Sequence, residues 1–131
     1  MKENIIDDLE IKNEINILKT LSHPNIVKIY EFFNTPLYYY IVTEYWRKDE
    51  LFAYIINIYN KRQLSVLFYQ VISGLVYLHE KKILHRDLKL ENLLVSEIEK
   101  DVITEEEYFW IKIIDFGTAK IFEKIEQKML L

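Results

Sequence analysis

Apolar residues recur at helical spacing in two stretches of the chain. The first stretch, from Ile5 to Leu21, predicts a helix with charged residues on its opposite face. Its stripe has gaps of four, three and three residues and consists of Ile11, Ile15, Leu18 and Leu21. Pro24 ends this helix, because the residue before a proline is disfavoured in the helical conformation. A second, cleaner stripe predicts a long core helix and consists of Leu64, Leu67, Phe68, Val71, Ile72, Leu75 and Leu78.

Two runs rich in β-branched and aromatic residues follow the first helix. They extend from Ile26 to Phe33 and from Tyr38 to Glu44, with Asn34-Thr35-Pro36 between them. Strand-forming residues on either side of a turn sequence predict an antiparallel hairpin. A looser helical pattern runs from Leu51 to Ile58.

The second half of the chain predicts another hairpin with an acidic insert. Leu93-Leu94-Val95 predicts a short strand, and Trp110 to Ile114 predicts its partner. For the insert, Ser96 to Glu107, the pattern favours a solvated surface loop, although Thr104 and Glu107 also fit a helical capping box. The closing stretch from Thr118 to Leu131 is compatible with a helix and has no glycine or proline to end it.

Composition narrows the classes of function. The 131 residues carry a formal charge of −4, and their Lys and Arg residues are scattered, so neither a nucleic-acid partner nor an anionic membrane surface is expected. The absence of cysteine excludes disulfides and thiolate metal sites. The acidic N-terminus does not resemble a signal peptide, and no apolar run approaches the roughly 20 residues of a membrane span. We therefore expect an intracellular, cytoplasmic protein.

The only glycines are Gly74 and Gly117, too few for a glycine-rich phosphate loop.

Two short motifs carry the candidate chemistry. They are His85-Arg86-Asp87-Leu88-Lys89-Leu90-Glu91-Asn92 and Asp115-Phe116-Gly117. Taken singly, His85 is more often a core histidine, Asn92 a turn former and the second motif a strand ending in a turn. In this order, together with Glu14 and His23-Pro24-Asn25, they resemble the catalytic segments of protein kinases. The run from Glu14 to Val27 is similar to calcium/calmodulin-type and calcium-dependent serine/threonine kinases.

The resemblance implies a set of roles around ATP and Mg²⁺. Asp87 matches the residue that accepts the proton of the substrate hydroxyl, and Lys89 matches the lysine that contacts the transferred phosphate in serine/threonine kinases. Asn92 and Asp115 match the two magnesium ligands, and oxygen donors suit that cation. The implied partner is a protein substrate with a serine or threonine hydroxyl.

The resemblance also implies a nucleotide site. Glu14 matches the helix glutamate that pairs with a strand lysine, and Thr43 occupies the gatekeeper position. Backbone groups of Glu44 and Trp46 would contact adenine, Glu50 would lie near the ribose, and Leu94 would form the apolar floor. The matching apolar spine consists of Leu18, Ile29, His85 and Phe116. Phe116 is expected to pack inward, and Gly117 is expected to let the backbone turn where a side chain would obstruct it.

The implied fold is α+β, a partial protein-kinase-like fold. Residues 1–44 would be a remnant of the small lobe (a helix and a two-stranded hairpin), and residues 45–50 would form the hinge. Residues 51–131 would start the large lobe with its first helices, the catalytic loop and a short hairpin, up to a truncated activation segment.

The chain departs from the family pattern in several places. It has no glycine-rich loop, no Val-Ala-Ile-Lys strand and no Ala-Pro-Glu, and Leu90 stands where proline is usual. We therefore expect apolar surface to be exposed on the first hairpin and on one face of the long helix, which would favour association. Two functions follow. The first is a serine/threonine protein kinase, here a truncated fragment that is inactive alone. The alternative is a catalytically inactive kinase remnant that acts as a protein-interaction module.

Overall fold

The computed structural model of the chain describes residues 5–45, 49–50 and 60–122. Two helices and seven strands occur in these ranges, with a short 3₁₀ helix at Leu90–Asn92. In chain order the regular elements are α1 (Ile5–Leu18), β1 (Ile29–Asn34), β2 (Tyr39–Thr43), β3 (Asp49–Glu50), α2 (Lys61–Glu80), β4 (Ile83–Leu84), β5 (Leu93–Lys100), β6 (Glu107–Ile113) and β7 (Lys120–Ile121). The α+β class predicted from the sequence is confirmed. The helix predicted over Leu51 to Ile58 lies outside the described residues.

The first predicted helix is confirmed by α1, which ends at Leu18, three residues before the predicted limit, so Leu21 of the stripe lies beyond the helix. The Lys19 N–H donates to the Ile15 carbonyl at 2.9 Å and closes the last turn, and the ammonium group of Lys28 binds carbonyl groups just beyond it. The Lys28 Nζ donates to the carbonyl of Leu21 at 2.9 Å and to that of Lys19 at 3.3 Å. A cation at the C-terminal end of a helix satisfies carbonyl groups that have no partner within the helix.

The hairpin of β1 and β2 is antiparallel, as predicted, with Ile29 opposite Thr43 and Asn34 opposite Tyr39. The Thr35 N–H donates to the Tyr38 carbonyl at 2.9 Å and closes the turn. Large apolar and aromatic side chains are exposed along this hairpin: Tyr30, Phe33, Leu37, Tyr38, Tyr39, Tyr40, Ile41 and Val42. The predicted exposure of apolar surface on this hairpin is therefore confirmed.

Asn60 caps the N-terminus of helix α2, and its side chain accepts from the Arg62 N–H at 2.9 Å. One side of the helix packs on β6 and buries Leu67, Gln70, Gly74 and Leu78. Three of the seven residues of the predicted apolar stripe are instead exposed, namely Leu64, Phe68 and Ile72. The prediction of a bare face on this helix is confirmed, and the predicted core helix is buried on its other side.

The acidic insert is not entirely the predicted loop, because half of it is strand. Strand β5 continues to Lys100, where it pairs with Glu107, and Glu99 pairs with Tyr108. Only residues 101–106 form the connecting turn. The capping-box alternative is also wrong, since Glu107 begins strand β6 rather than lying in the first turn of a helix.

Strands β3, β5 and β6 form one sheet, and β4 and β7 form another pair. The prediction of helix after Thr118 is wrong for residues 118–122, because Lys120 pairs with Leu84 and Ile121 with Ile83. The remainder of that stretch, residues 123–131, lies outside the described residues. No helix in the described ranges is long and apolar enough to cross a membrane.

A buried amide network connects the segment after α1 to the second half of the chain. The Asn25 Nδ2 donates to Gln70 Oε1 at 2.9 Å and to the Ile111 carbonyl at 3.0 Å. The Gln70 Nε2 donates to the Phe109 carbonyl at 2.6 Å, and the Ile113 N–H donates to the Asn25 carbonyl at 2.8 Å. Because buried amides are costly to leave unpaired, this network fixes α1 and the first hairpin against α2 and β6.

Candidate active site

The loop from His85 to Asn92 is anchored by the buried imidazole of His85. The Nε2 atom donates to the Ile114 carbonyl at 2.7 Å, and the Nδ1 atom accepts from the Asp87 N–H at 3.2 Å. A carbonyl can only accept, so the neutral ring carries its proton on Nε2. The ring also meets that of Phe116 edge-on, with centroids 5.1 Å apart. His85 therefore joins the loop of Asp87 to the segment of Asp115.

Arg86 makes a second connection between these two segments. Its φ angle is +67°, a left-handed conformation that is unfavourable for a residue with a side chain. The Arg86 Nε donates to the Thr118 carbonyl at 2.6 Å, and the Thr118 hydroxyl donates to the His85 carbonyl at 3.4 Å. A strained backbone conformation persists where surrounding contacts stabilise it. Here the two hydrogen bonds with Thr118 stabilise the conformation of Arg86.

The side chain of Asn92 holds Asp87. Its Nδ2 donates to the Asp87 carbonyl at 2.8 Å and to Asp87 Oδ2 at 3.2 Å, while Asn92 itself is buried. The Lys89 ammonium lies 3.6 Å from the same Oδ2, with both side chains partly exposed. The 3₁₀ helix makes this possible, because the Asn92 N–H donates to the Lys89 carbonyl at 3.0 Å and folds the loop back. A carboxylate and an ammonium group thus meet at the surface, beside the buried amide that holds the carboxylate.

Asp115 also has a left-handed backbone, with a φ angle of +58°. Its Oδ1 accepts from the Gly117 N–H at 3.2 Å, which orients the carboxylate. Gly117 lies in a turn and has no positive φ angle, so its expected role rests on the space a side chain would need rather than on a left-handed backbone. Its function is spatial, because a Cβ atom at position 117 would lie 3.1 Å from Asp115 Oδ1.

The donor set around Asn92 and Asp115 fits a magnesium ion. The Ile114 N–H donates to the Asn92 carbonyl at 2.9 Å, which holds the two segments side by side. Because the Asn92 amide nitrogen is committed to Asp87, its oxygen is the atom left for a cation. No group of three or more His, Cys, Asp or Glu side chains that could hold a metal occurs in the described ranges. One carboxylate and one amide oxygen agree with a cation that takes its other ligands from water and phosphate.

An apolar cavity of about 440 Å³ adjoins Asp115. The helix α1, the first hairpin and the segment from Ile114 to Gly117 surround it, and its lining includes Leu18, Ile29, Thr43 and Phe116. Leu18, Ile29 and Phe116 also pack in one hydrophobic cluster, and Phe116 contacts His85. The four residues of the expected spine are therefore brought together, and Phe116 packs inward as predicted.

Glu44 faces away from this cavity. Successive side chains along an extended segment point to opposite sides, so Thr43 lines the apolar cavity whereas Glu44, the residue after β2, lines a separate cavity with Lys28 and Lys112. The Glu44 Oε1 accepts from Lys112 Nζ at 2.6 Å and from the Lys28 N–H at 2.8 Å. The backbone N–H of Glu44 donates to the Lys28 carbonyl at 2.9 Å, and its carbonyl accepts from the Thr43 hydroxyl at 3.1 Å.

Four other residues are expected around the nucleotide. Glu50 and the buried Leu94 are direct cross-strand partners in β3 and β5. Leu94 does not line the apolar cavity. Glu14 lies on α1, one turn before Leu18. Trp46 lies outside the described residues.

Lys112 and Gln70 make contacts that hold the segments around the site together, and neither was predicted from the sequence. Gln70 interrupts the apolar stripe of α2, and a polar residue at such a position indicates a buried hydrogen bond. Lys112 lies between Ile111 and Ile113, so strand alternation indicates that it faces away from their side. Its partner Glu44 is 68 residues earlier, and no local pattern identifies such a pair.

Comparisons with known proteins agree with this geometry. The family model described as "Protein kinase domain" matches residues 1–130, and the chain belongs to the protein kinase family. Calcium-dependent protein kinase 4 of Plasmodium berghei is 40% identical over 121 residues, which are 89% of this chain and 21% of that protein.

Two further relatives carry serine/threonine specificity in their names. Meiosis-specific serine/threonine-protein kinase mek1 of Schizosaccharomyces pombe is 36% identical over 86% of this chain and 24% of its own length. Serine/threonine-protein kinase DCLK3 of Mus musculus is 40% identical over 91% of this chain and 14% of its own length. The chain thus spans about a fifth of the length of these relatives.

Proposed function

We propose that these residues supply the catalytic loop and the magnesium ligands of a serine/threonine protein kinase, which transfers the γ-phosphoryl group of ATP to a protein hydroxyl. The observation that carries this proposal is the contact between Asn92 and Asp87. It fixes one oxygen of the Asp87 carboxylate and leaves that side chain partly exposed to a substrate. A carboxylate oriented in this way can accept the proton of the attacking hydroxyl.

Lys89 supports the assignment to serine/threonine kinases. Its ammonium group lies beside the Asp87 carboxylate and is half exposed, so it can reach a phosphoryl group that arrives at the same point. A lysine there opposes the negative charge on the phosphoryl oxygens during transfer. We also propose that the substrate is a protein with a serine or threonine hydroxyl and that the location is cytoplasmic.

Magnesium would be held by the Asn92 amide oxygen and the Asp115 carboxylate. When bound, the ion neutralises charge on the β- and γ-phosphates. The nucleotide would extend from there past Thr43 to the backbone of Glu44 and Trp46, with Leu94 beneath the base and Glu50 near the ribose. Glu14 would hold the phosphate-contacting lysine of the family pattern. These nucleotide contacts rest on the family resemblance together with the position of Thr43 and Asp115 on one cavity.

A second candidate function is a non-catalytic interaction module. The observation that favours it is the exposed apolar surface of the first hairpin and of α2, where Phe68 and Tyr69 are more than half exposed. Surfaces of this kind are common at protein interfaces. The kinase function requires an intact metal site, whereas the interaction module does not.

Paramagnetic NMR on the 131-residue chain tests the metal site directly. Mn²⁺ replaces Mg²⁺ in the presence of ATP, and line broadening is mapped by residue. We expect the Asn92 side-chain amide and the Gly117 amide to broaden first, and Asp115→Asn to abolish the effect. Glu99→Gln, on the exposed side of β5, is the matched control and should change nothing. Broadening centred elsewhere, or unaffected by Asp115→Asn, would exclude the proposed ligands.

A further inference from the structure

The turn between β5 and β6 presents a threonine hydroxyl to solvent. The Asp101 N–H donates to the Glu106 carbonyl at 2.8 Å, and the Glu105 N–H donates to the Asp101 carbonyl at 3.0 Å, so the turn is closed at its base. At its tip Val102 is 96% exposed and Ile103 is 93% exposed, and Thr104 is exposed as well. The described residues leave this tip uncovered.

The Thr104 hydroxyl is chemically accessible. Its Oγ1 accepts from the Glu106 N–H at 3.3 Å, a long hydrogen bond that occupies one lone pair. A hydroxyl has a second lone pair, which remains for reaction. Its proton faces the Asp101 carboxylate, whose pKa is lowered by hydrogen bonds from the backbone N–H groups of Thr104 and Ile103 and from this hydroxyl. The hairpin presents the group on a fixed platform, because Asn60 donates to Glu106 Oε1 at 2.7 Å and Gln63 donates to the Glu107 carbonyl at 2.9 Å.

The residues that follow Thr104 are all acidic. Glu105, Glu106 and Glu107 occupy the next three positions, and Asp101 lies three residues earlier. From Ser96 to Glu107 the hairpin carries six carboxylates and one lysine, a formal charge of −5. An enzyme with Lys and Arg side chains around its acceptor groove would distinguish this hydroxyl from others by charge.

Thr35 provides an internal comparison. It is also exposed and also lies in a hairpin turn, where its hydroxyl and backbone bond to Tyr38. The three residues that follow it are Pro36, Leu37 and Tyr38, which carry no charge. The two threonines thus share exposure and turn geometry and differ in the charge of the following residues.

We propose that Thr104 is a phosphorylation site for an acid-directed serine/threonine kinase acting on this chain. In the reaction the Thr104 Oγ1 attacks the γ-phosphorus of ATP. The new Oγ1–P bond forms as the bond from that phosphorus to the bridging oxygen breaks, and ADP leaves. The hydroxyl proton passes to a carboxylate base of the modifying enzyme. The product carries about two additional negative charges at pH 7. This inference does not depend on the function proposed for the chain itself.

The test uses the folded 131-residue chain, ATP and a purified acid-directed serine/threonine kinase, with sites mapped by mass spectrometry. We expect one phosphate per chain at Thr104 and none at Thr35. Thr104→Ala should abolish the signal, and Thr104→Ser should retain it. Glu107→Gln should lower the rate about tenfold, as expected for the loss of one charge-assisted hydrogen bond. Glu99→Gln, five residues before the acceptor on the same hairpin, should leave the rate unchanged.

A peptide spanning residues 98–111 separates recognition from accessibility. Modification of both the peptide and the folded chain at Thr104 supports the proposal. If the peptide is modified and the folded chain is not, the turn protects the hydroxyl and the proposal is wrong. It is equally wrong if neither is modified, if Thr35 reacts as fast, or if Glu107→Gln has no effect.

Discussion

The amide nitrogen of Asn92 donates to both the backbone carbonyl and the side-chain Oδ2 of Asp87, at 2.8 and 3.2 Å. The residue proposed to bind metal therefore also orients the residue proposed to accept the substrate proton. The nitrogen is used for orientation, and the oxygen of the same amide is left for the cation. One buried side chain thus connects the two parts of the proposed reaction.

Asn92→Ala should remove both contacts. The Asp87 carbonyl would lose its side-chain donor, at an expected cost of about 1–3 kcal/mol in the free energy of unfolding. Denaturant unfolding of the chain measures this cost. Glu91→Gln changes the exposed neighbour and should leave stability unchanged. An Asn92→Ala chain as stable as the original would show that the contact with Asp87 contributes little.

The two glycines should respond differently to alanine. In Gly117→Ala the new Cβ would lie 3.1 Å from Asp115 Oδ1 and displace the carboxylate, so Mn²⁺ affinity in the presence of ATP should fall while stability changes little. In Gly74→Ala the Cβ would lie 2.9 Å from the Cδ1 of the buried Ile113. Overpacking of this kind costs about 1–3 kcal/mol, which exceeds the gain of up to about 1 kcal/mol in helix propensity.

Metal titration and denaturant unfolding on both variants check this pair of predictions. Normal Mn²⁺ binding by Gly117→Ala would contradict the first prediction, because the close approach to Asp115 would then have no consequence. A Gly74→Ala chain more stable than the original would contradict the second.

The stability of the chain should fall on acidification through the titration of His23. Burial lowers the pKa of His23 from its usual 6.5. Its Nδ1 accepts from the Asn25 N–H at 3.0 Å, and Nε2 lies 3.2 Å from the Ser73 hydroxyl. Protonation of Nδ1 would break the first bond. Because the unfolded chain takes up the proton more readily, the contribution of His23 is complete above pH 6.5 and declines as the pH falls below that value.

Urea unfolding between pH 5 and pH 7.5 measures this dependence. The His23→Gln chain should show a smaller loss of stability over the same interval than the original. His79→Gln, at the exposed end of α2, is the control and should reproduce the original profile. An identical profile for His23→Gln would assign the acid sensitivity to other groups.

The ion pair of Glu44 and Lys112 should contribute to the attachment of the first hairpin to β6. Its nitrogen and oxygen are 2.6 Å apart, and the two side chains are 23% and 18% exposed. Such partial burial predicts a coupling energy of about 1 kcal/mol, above that of most surface pairs. A double-mutant cycle with Glu44→Gln and Lys112→Met measures it. A coupling energy near zero would show that the Lys28 N–H satisfies Glu44 without the lysine.

Local patterns predicted most of the regular elements. Periodicity identified α1 and α2, and strand propensity identified the first hairpin. The extension of β5 escaped prediction because its residues beyond Val95 are largely acidic, a composition typical of loops. Pairing with β6 and the contacts of Glu106 and Glu107 with the start of α2 hold this segment as a strand. Tertiary contacts therefore outweigh local propensity there.

The residues of the candidate site could be predicted from the two motifs, but the residues that hold the surrounding structure together could not. Asp87, Asn92 and Asp115 were identified because their order and spacing match a known catalytic pattern. The buried amide of Gln70 and the pairing of Lys112 with Glu44 depend on contacts between residues at least 39 positions apart. Such contacts follow from the fold, and single-sequence patterns do not encode them locally.

Phosphoryl transfer by a chimera tests the central claim most directly. The aligned part of this chain, 89% of its length, would replace the matching segment of calcium-dependent protein kinase 4 of Plasmodium berghei. We predict that the folded chimera phosphorylates a serine peptide with ATP and Mg²⁺, and that Asp87→Asn lowers the rate about 10²- to 10⁴-fold without unfolding it. Glu99→Gln should leave the rate unchanged. A folded chimera without activity, or one equally active with Asp87→Asn, would contradict the proposed catalytic loop.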